Sequence, residues 1–297
     1  LAPICLFTYN RLLETQETIK ALQNNYLANE SDLIIFSDGY KGDNDKMEVM
    51  DVRVFIKNIK GFKSVKVYES KTNKGLANSV IDGVSLVLEK FKTVIVLEDD
   101  LLTTPNFLDF MNQSLNYYEK FQSVFSITGF SLPIKFKKKY DADIYFSYRA
   151  SSWGWAIWKD RWLAIDWELA YSENFINDRR IQKKFNIGGN DLSRMLKNQI
   201  LGKIDSWAIR FCYYQFRSNK LTVAPIKSKI KNIGFNNKGT HTKTNAREYQ
   251  TVLDTVMKLN FNFSNALKVE TIINKQLRFY YSNYYKIKHR ILNYFLR

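Results

Sequence analysis

Short apolar runs alternate with amphipathic segments over the first 130 residues of the chain. Each run is too short for a helix and ends at turn-forming residues, so it predicts a strand. The segments between the runs place apolar residues at steps of three and four, which is typical of helices with one buried face. The predicted strands are residues 3–7, 33–36, 65–68, 94–97 and 124–127, and the predicted helices are 11–24, 45–59, 76–88 and 105–120. This alternation predicts an α/β fold with a doubly wound, mainly parallel sheet flanked by helices.

The pattern weakens after Gly129, where polar and aromatic residues interrupt the apolar runs. It still predicts a strand at residues 144–147 and helices near 166–169, 191–201 and 206–217. In the earlier helix at residues 45–59, Met47, Met50 and Val54 are expected to face the core. From residue 273 to residue 294 apolar side chains recur at helical spacing, which predicts a C-terminal amphipathic extension.

The strand at residues 94–97 ends in three consecutive acids, Glu98, Asp99 and Asp100. Adjacent carboxylates repel one another unless a positive charge lies among them. A hard divalent cation binds such oxygens and can also bind a diphosphate. In open α/β sheets, ligands bind where the parallel strands end. The acids therefore indicate either a metal-dependent ligand site or an acidic turn in contact with solvent.

Four tryptophans fall within ten residues, from Trp153 to Trp162. Burial of large aromatic side chains would explain this density as a packed corner of the core. A stacking platform for a sugar ring or another flat ligand would explain it equally well. The residues leave both interpretations open.

The net charge of +16 indicates an anionic partner, such as a nucleotide, a nucleic acid or an acidic membrane surface. The charge is concentrated late in the chain: residues 227–247 carry six basic side chains and no acid, and residues 268–297 carry seven and one acid. A basic amphipathic helix is typical of contact with an anionic bilayer. The same pattern is typical of a helix that packs on its own domain or on a partner.

Cys5 and Cys212 each lie in an apolar run, without the spacing of a disulfide framework or a zinc site. We expect two buried thiols in a reducing compartment, and therefore a cytoplasmic protein. The chain has no run of about 18 apolar residues that would predict a membrane-spanning helix. If the basic tail contacts the bilayer, we expect the cytoplasmic protein to be peripheral on the inner face of the plasma membrane.

Four motifs follow the predicted strands in order: Thr8-Tyr9-Asn10-Arg11, Ser37-Asp38-Gly39, Asn73-Lys74-Gly75-Leu76-Ala77-Asn78 and Glu98-Asp99-Asp100. Together they resemble a GT-A glycosyltransferase, especially the inverting, family-2-type bacterial sugar transferases. The last motif is also similar to that of the N-acetylglucosaminyltransferase I type. The resemblance covers roughly residues 3–245. It implies a GT-A fold with a nucleotide-sugar-binding half (1–130), an acceptor-binding and catalytic half (131–250) and a basic, aromatic helical tail (251–297).

The resemblance also implies which residues bind the donor. They are Thr8, Tyr9, Asn10, Arg11, Asp38, Lys74, Gly75, Asn78, Glu98 and Asp99. The Thr8–Arg11 turn would line the base and ribose pocket, and Asp38 would bond the base or the ribose. Lys74 or the following helix N-terminus would lie near phosphate. Asp99 would reach the ribose or the donor sugar.

The metal, the acceptor and the proton acceptor follow from the same resemblance. Asp100 would bind Mn²⁺ or Mg²⁺, with Glu98 left open as a ligand because the motif is Glu-Asp-Asp rather than Asp-x-Asp. His241 lies in a Gly/Asn/Lys-rich loop that would close over the diphosphate or the metal, although exposed loop histidines often have no such role. Trp153, Gly154 and Trp155 would belong to the acceptor side.

Asp205 occupies a position similar to that of the catalytic base, among apolar and basic neighbours. A carboxylate suffices as the base for an attacking hydroxyl. Asp205 also precedes a predicted helix, so it equally fits an N-cap, and both roles can coexist.

These features predict a metal-dependent inverting glycosyltransferase that moves a sugar, expected to be UDP-linked, to a glycan or lipid-linked acceptor in bacterial surface polysaccharide synthesis. One alternative is a sugar-phosphate nucleotidyltransferase, although Thr8-Tyr9-Asn10-Arg11 is not the Gly-rich basic signature of that class. Another is a basic nucleic-acid-binding protein without enzymatic activity. The chain carries no recognised nucleic-acid-binding motif, so no nucleic acid is expected as a partner. The oligomeric state stays open.

Overall fold

A computed structural model describes residues 1–170, 172, 174–234, 251–285 and 287–288. Ten strands and nine α-helices lie in this part of the chain. The strands are β1 (Ile4–Thr8), β2 (Asp32–Ser37), β3 (Ser64–Glu69), β4 (Thr93–Glu98), β5 (Leu101–Thr103), β6 (Val124–Thr128), β7 (Ile144–Ser147), β8 (Trp155–Trp158), β9 (Leu221–Pro225) and β10 (Ile230–Asn232). The helices are α1 (Leu12–Gln23), α2 (Asp43–Ile56), α3 (Gly75–Lys90), α4 (Phe107–Tyr118), α5 (Lys159–Leu163), α6 (Arg179–Phe185), α7 (Leu192–Ile200), α8 (Trp207–Arg217) and α9 (Thr271–Tyr280).

Eight strands form the central sheet, in the order β3-β2-β1-β4-β8-β6-β9-β7. The pairs β2–β3, β1–β2, β1–β4 and β6–β9 are parallel, whereas β8 and β7 run antiparallel to their neighbours. The predicted α/β sheet flanked by helices is therefore confirmed, with antiparallel strands in its second half. From β1 the chain proceeds to β2 on one side and later returns to β4 on the other. A crevice opens at such a point, beyond the carboxyl ends of the two strands.

The central strands bury both of their faces. Ile4 and Leu6 of β1 pack against α1, α2 and α4, whereas Cys5 and Phe7 point to the opposite face, toward α3 and α8. The apolar part of β4, residues 94–97, is at most 1% exposed, which confirms the predicted doubly buried strand. Cys5 and Cys212 are free and buried, as predicted.

The buried face of α2 differs from the prediction. Met47 and Val54 are 78% and 62% exposed, and Met50 is exposed as well. The buried side chains are instead Val49, Val52, Arg53 and Ile56. Both sets have helical spacing and lie about two residues apart, on opposite sides of the helix. Periodicity alone could not choose between two apolar stripes.

The second half of the chain also departs from the prediction. The structure has no helix at residues 166–169, and α5 lies just before that position. The strands β5, β8, β9 and β10 and the helix α6 were not predicted. The division of the chain into two halves and a tail stays a prediction.

The C-terminal helix α9 packs on its own domain. Ile273 and Leu277 are buried in the core, and the Gln276 side chain exchanges hydrogen bonds with the backbone of Lys135 at 2.9 Å in both directions. The interpretation of an internally packed helix therefore holds for α9. Phe279 lies on an exposed face. Residue 286 and residues 289–294 of the predicted extension lie outside the described residues. No helix in the described part of the chain is long and apolar enough to cross a membrane.

Candidate active site

A cleft of about 600 Å³ opens at the carboxyl ends of β1 and β4. Its walls come from the turns after β1, β2 and β4, from the start of α3, and from α7, α8 and the residues after β10 and α9. The lining includes most of the predicted site residues: Thr8, Tyr9, Asn10, Arg11, Asp38, Gly75, Glu98, Asp99, Asp100, Trp153 and Asp205. The fold therefore brings the donor, metal and base candidates to one space.

The acids after β4 hold the guanidinium of Arg11. Arg11 Nη2 donates to Asp99 Oδ1, and Arg11 Nη1 donates to Asp100 Oδ2 at 3.0 Å. Asn232 Nδ2 donates to the other oxygen of Asp100, at 3.3 Å. Thr18 holds the turn after β4, because its hydroxyl donates to the carbonyl of Asp99 at 2.9 Å. Both aspartates are nearly inaccessible to solvent.

Negative charge exceeds positive charge in this acidic cluster, which consists of Glu98, Asp99 and Asp100. The pKa of Glu98 is raised to about 8, first by burial and then by the charges of Asp100 and Asp99. The pKa of Asp99 is raised to about 7, mainly by burial and against the effect of Arg11. Burial likewise raises the pKa of Asp100, which Arg11 opposes. One guanidinium does not compensate three ionised carboxylates, so near neutral pH the acidic cluster retains protons unless further positive charge is bound.

These pKa shifts predict how stability depends on pH. Folded Glu98 and Asp99 retain protons that the unfolded chain has released, because unperturbed carboxyl pKa values are about 4. The free energy of unfolding should therefore fall as the pH rises from about 5 to about 8, in the absence of divalent cations. Thermal unfolding across this range measures the effect, and Glu98→Gln should flatten the decline. A melting temperature that rises steadily with pH would contradict the prediction.

The pairing of β5 with β10 completes the site. β5 starts directly after Asp100 and pairs antiparallel with β10, so that Asn232 lies opposite Leu101. The amide of Ile233 then donates to the carbonyl of Asp100 at 2.9 Å. At Gly234 a Cβ atom would overlap Asp100 Oδ2 and approach Arg11 Nη1 to 2.8 Å. Only glycine allows the backbone to approach the carboxylate this closely.

A hard divalent cation fits the acidic cluster. The carboxylate oxygens are the ligands that Mg²⁺ and Mn²⁺ prefer, and Glu98, Asp99 and Asp100 all line the cleft. The described residues contain no ready-made group of three metal-ligating side chains. Mg²⁺ commonly binds through one or two carboxylates together with substrate phosphates. Asp100 would hold the cation in that way, with Asp99 or Glu98 beside it.

At the other end of the cleft, Asp38 links the loop after β2 to the loop before α3 through hydrogen bonds. Its Oδ1 accepts hydrogen bonds from the amides of Gly39 at 2.8 Å and Lys74 at 2.9 Å. Its Oδ2 accepts from the amide of Gly75 at 3.0 Å. A Cβ atom on Gly39 would overlap the carbonyl carbon of Thr72, so the two loops approach as closely as glycine allows.

Lys74 and Asn78 are corrections to the predicted donor site. The Lys74 ammonium forms an ion pair with Asp82 at 2.8 Å along α3, and Asn78 Nδ2 donates to the carbonyl of Lys74. Neither side chain is among those that line the cleft. The Lys74 and Gly75 amides already bond to Asp38, and the expected phosphate contact of the α3 N-terminus stays a prediction.

The tryptophan-rich segment divides between the core and the cleft. Trp155 is 1% exposed and packs against Trp162, Trp207 and Phe211, so the predicted acceptor contact is corrected for this residue. Gly154 serves backbone packing: its carbonyl accepts from the amide of Gly129, and a Cβ atom would meet Ile230 at 2.7 Å. Trp153 lines the cleft, with Phe130 against its ring at 4.5 Å.

Asp205 faces the cleft from the loop before α8. Its side chain is 58% exposed, and Arg210 Nη2 donates to its Oδ1 at 2.8 Å. The N-cap of α8 is Ser206, whose hydroxyl accepts from the amide of Ile209. The capping interpretation of Asp205 is therefore wrong, and its carboxylate is held by Arg210 on the surface of the cleft.

The structure adds lining residues that sequence reasoning missed. Arg149 is fixed by Asp191 through two hydrogen bonds, at 2.7 and 3.3 Å, and its guanidinium lies 3.9 Å from the centre of the Tyr281 ring. Tyr281 directly follows α9, so the C-terminal segment forms part of the cleft wall. No sequence motif pointed to these two residues. His241, the second predicted metal-site residue, lies outside the described residues.

No protein-family model and no curated protein matches the chain. Solved structures to which it is similar include S. aureus TarS, with a TM-score of 0.42 and 10% identity over 79% of this chain and 37% of that chain. A structure of TarS 1-349 has a TM-score of 0.36 and 10% identity, over 77% of this chain and 59% of that one. The mannosyltransferase PcManGT from Pyrobaculum calidifontis, in complex with GDP-Man and Mn²⁺, has a TM-score of 0.38 and 10% identity, over 54% and 46%. The chain spans less than two thirds of each, and such distant likeness leaves the function to be judged from the site.

Proposed function

We propose that the chain is a metal-dependent, inverting GT-A glycosyltransferase. It would move a sugar from a UDP-linked donor to a glycan or lipid-linked acceptor in bacterial surface polysaccharide synthesis. The observation that carries the proposal is that Asp38, the acidic cluster and Asp205 line one cleft at the carboxyl ends of β1 and β4. Such a cleft offers places for a base, a diphosphate and an attacking hydroxyl.

The hydrogen bonds of Asp38 support uracil as the base. A carboxylate has about four acceptor positions, and three backbone amides occupy three of them, two on Oδ1 and one on Oδ2. One position on Oδ2 is left for a ligand. Uracil presents a single ring N–H between two carbonyls, whereas guanine presents two adjacent donors that need two acceptors. Phe7 and Phe36, stacked at 5.2 Å, supply an apolar wall for the ring.

The acidic cluster supports binding of the donor diphosphate through a divalent cation. Asp100 would hold the cation, and Asp99 would lie toward the ribose or the donor sugar. When bound, the cation supplies Lewis-acid stabilisation of the charge that develops on the leaving diphosphate. The chain itself contributes burial, which strengthens every charge interaction in the cleft.

Asp205 is the proposed general base. The acceptor oxygen would form a bond to the anomeric carbon while the bond from that carbon to the diphosphate oxygen breaks. The hydroxyl proton would pass to Asp205, whose exposed carboxylate is kept oriented by Arg210. A single displacement of this kind inverts the anomeric configuration.

The acceptor side of the cleft combines two aromatic rings with a charged group. Trp153 and Tyr281 both line it, and Arg149 stacks on Tyr281. Aromatic faces are suitable surfaces for apolar faces of sugar rings. Because Tyr281 follows α9, the exposed face of this helix would lie near a membrane-bound acceptor.

Tyr281→Ala is expected to impair transfer to the acceptor about fivefold to tenfold, because one aromatic wall is lost. Tyr281→Phe should keep most of the transfer, since the ring remains. Tyr26→Ala is the matched control, because Tyr26 is a tyrosine that is 51% exposed and does not line the cleft. Release of UDP in the absence of acceptor should be unaffected in all three variants. Equal losses of transfer and of acceptor-free UDP release in Tyr281→Ala would contradict an acceptor role.

A thermal-shift panel tests the proposed function. UDP and UDP-sugars should raise the melting temperature more than GDP-, CMP- or ADP-sugars, and Mn²⁺ should enlarge the effect. Stabilisation by UTP with a sugar phosphate, but not by UDP-sugars, would favour a nucleotidyltransferase. Stabilisation by DNA or RNA alone, without an effect of Mn²⁺, would overturn the proposal in favour of a nucleic-acid-binding protein.

A further inference from the structure

We infer that Arg11 is a built-in counter-ion that occupies the Asp99–Asp100 pair in the absence of ligands and makes cation binding depend on the nucleotide. This inference rests on the proposed function, because it concerns the same cleft. It gives Arg11 a different role from the base and ribose contact that the sequence motif implied.

Arg11 divides its two terminal nitrogens between two different carboxylates. One nitrogen bonds Asp99 and the other bonds Asp100, and the side chain of Arg11 is only 17% exposed. Charge-assisted hydrogen bonds of this kind are roughly twice as strong as neutral ones. The guanidinium therefore neutralises part of the acidic cluster from within the protein.

A divalent cation at Asp100 would compete with this guanidinium. Asp100 Oδ2 is taken by Arg11 and Oδ1 by Asn232, and the Asp100 carbonyl accepts from Ile233. Each oxygen of Asp100 keeps a further acceptor position, so a cation that coordinates Asp100 would lie beside one of these donors. Arg11 is the donor whose positive charge would also repel the cation, so it is the one that must leave.

The nucleotide provides a new partner for the displaced guanidinium. A diphosphate placed in this cleft offers paired oxygens, which match the planar fork of arginine. Moving from Asp100 to phosphate keeps Arg11 paired while it frees Asp100 for the cation. The bound nucleotide would then make it easier for the cation to bind, and the bound cation would make it easier for the nucleotide to bind. This is positive coupling between the two ligands.

The test is a Mn²⁺ titration by electron paramagnetic resonance, with and without UDP. Wild-type protein should bind Mn²⁺ weakly alone and at least about tenfold more tightly with UDP. Arg11→Gln should bind Mn²⁺ alone roughly tenfold to hundredfold more tightly than wild type, since the competing charge-assisted bonds are gone. UDP should then raise the affinity for Mn²⁺ by a smaller factor than in wild type, because its phosphates still coordinate the cation but no longer draw away a competing guanidinium. A purely structural role of Arg11 would not raise the affinity for Mn²⁺ alone and weaken the dependence on UDP together.

Two further variants keep the test decisive. Lys41→Gln removes another positive charge that lines the cleft, and it should change Mn²⁺ affinity by less than about threefold. Arg11→Lys keeps a charge that reaches only one carboxylate at a time, so its Mn²⁺ affinity should lie between those of wild type and Arg11→Gln. Arg11→Lys carries the test if Arg11→Gln does not fold.

The inference fails if removal of the guanidinium leaves the affinity for Mn²⁺ alone unchanged. It also fails if UDP is shown to bind wild-type protein but does not change the affinity for Mn²⁺. The proposed function fails in a different way, namely if wild-type protein binds no nucleotide at all. In that case the Mn²⁺-only comparison still decides whether Arg11 acts as a counter-ion.

Discussion

Replacing Asp100 with asparagine is expected to reduce the rate of sugar transfer by at least about a hundredfold to a thousandfold. The amide has the shape of the carboxylate, but it lacks the charge that holds a divalent cation. Charge on the leaving diphosphate would then lose its main stabilisation, which a bound cation supplies at a value of several kcal/mol. Loss of one buried carboxylate also relieves repulsion among the acids, so the fold should be kept.

Release of UDP from a UDP-sugar and a thermal unfolding curve measure the two halves of this prediction. Asp32→Asn is a suitable control, because Asp32 begins β2 and so lies at the end of the strand that is away from the cleft. Its carboxylate pairs with Lys63 at 3.5 Å. An exposed pair of this kind contributes little to stability. Normal Mn²⁺-stimulated transfer by Asp100→Asn would remove Asp100 from the metal role.

The sequence was sufficient to predict those elements whose apolar pattern matches their burial in the fold. β4 is an example: an apolar run without polar interruption had to be buried on both faces, and the acids that follow it had to lie at the strand end. The same reasoning brought Asp38 and the acidic cluster to one edge of the sheet, at the ends of the two strands that flank β1. Parallel strands with helical crossovers leave few other arrangements.

Contacts between distant parts of the chain could not be read from the sequence. Asn232 reaches Asp100 across 132 positions because β10 pairs with β5, and both strands have three residues. Strands so short carry almost no periodic signal. Tyr281 likewise reaches the cleft only because α9 docks on the core. Nothing in the sequence around Asn232 and Gly234 indicated that these residues lie close to the carboxylate of Asp100.

Other errors arose where one residue type fits two environments. The resemblance placed Lys74 or the helix N-terminus near phosphate, yet Asp82 lies eight residues along the chain and pairs with the Lys74 ammonium. The resemblance placed Trp155 on the acceptor side, yet β8 is buried along its whole length and Trp155 lies in the core. Trp153, two residues earlier, sits before the strand and reaches the cleft. Composition of a segment does not decide which of its side chains face a ligand.

Asp205→Asn is expected to reduce transfer by about a hundredfold to ten thousandfold, while binding of UDP and Mn²⁺ is kept. The amide cannot accept the proton of the attacking hydroxyl, but it still fits beside Arg210. Because Ser206 caps α8, the substitution should leave the helix start intact. Transfer and equilibrium binding, measured on the same preparation, separate loss of the base from loss of the site.

Ser206→Ala provides the converse change at the next residue. It removes the hydroxyl that accepts from Ile209 and should cost about 1 kcal/mol of stability, with transfer largely kept at low temperature. If Asp205→Asn lowers stability and Ser206→Ala lowers transfer, the two roles have been exchanged and the base must be sought elsewhere in the cleft. If instead the two variants behave as expected, the exposed carboxylate of Asp205 acts on the acceptor and has no essential part in the fold.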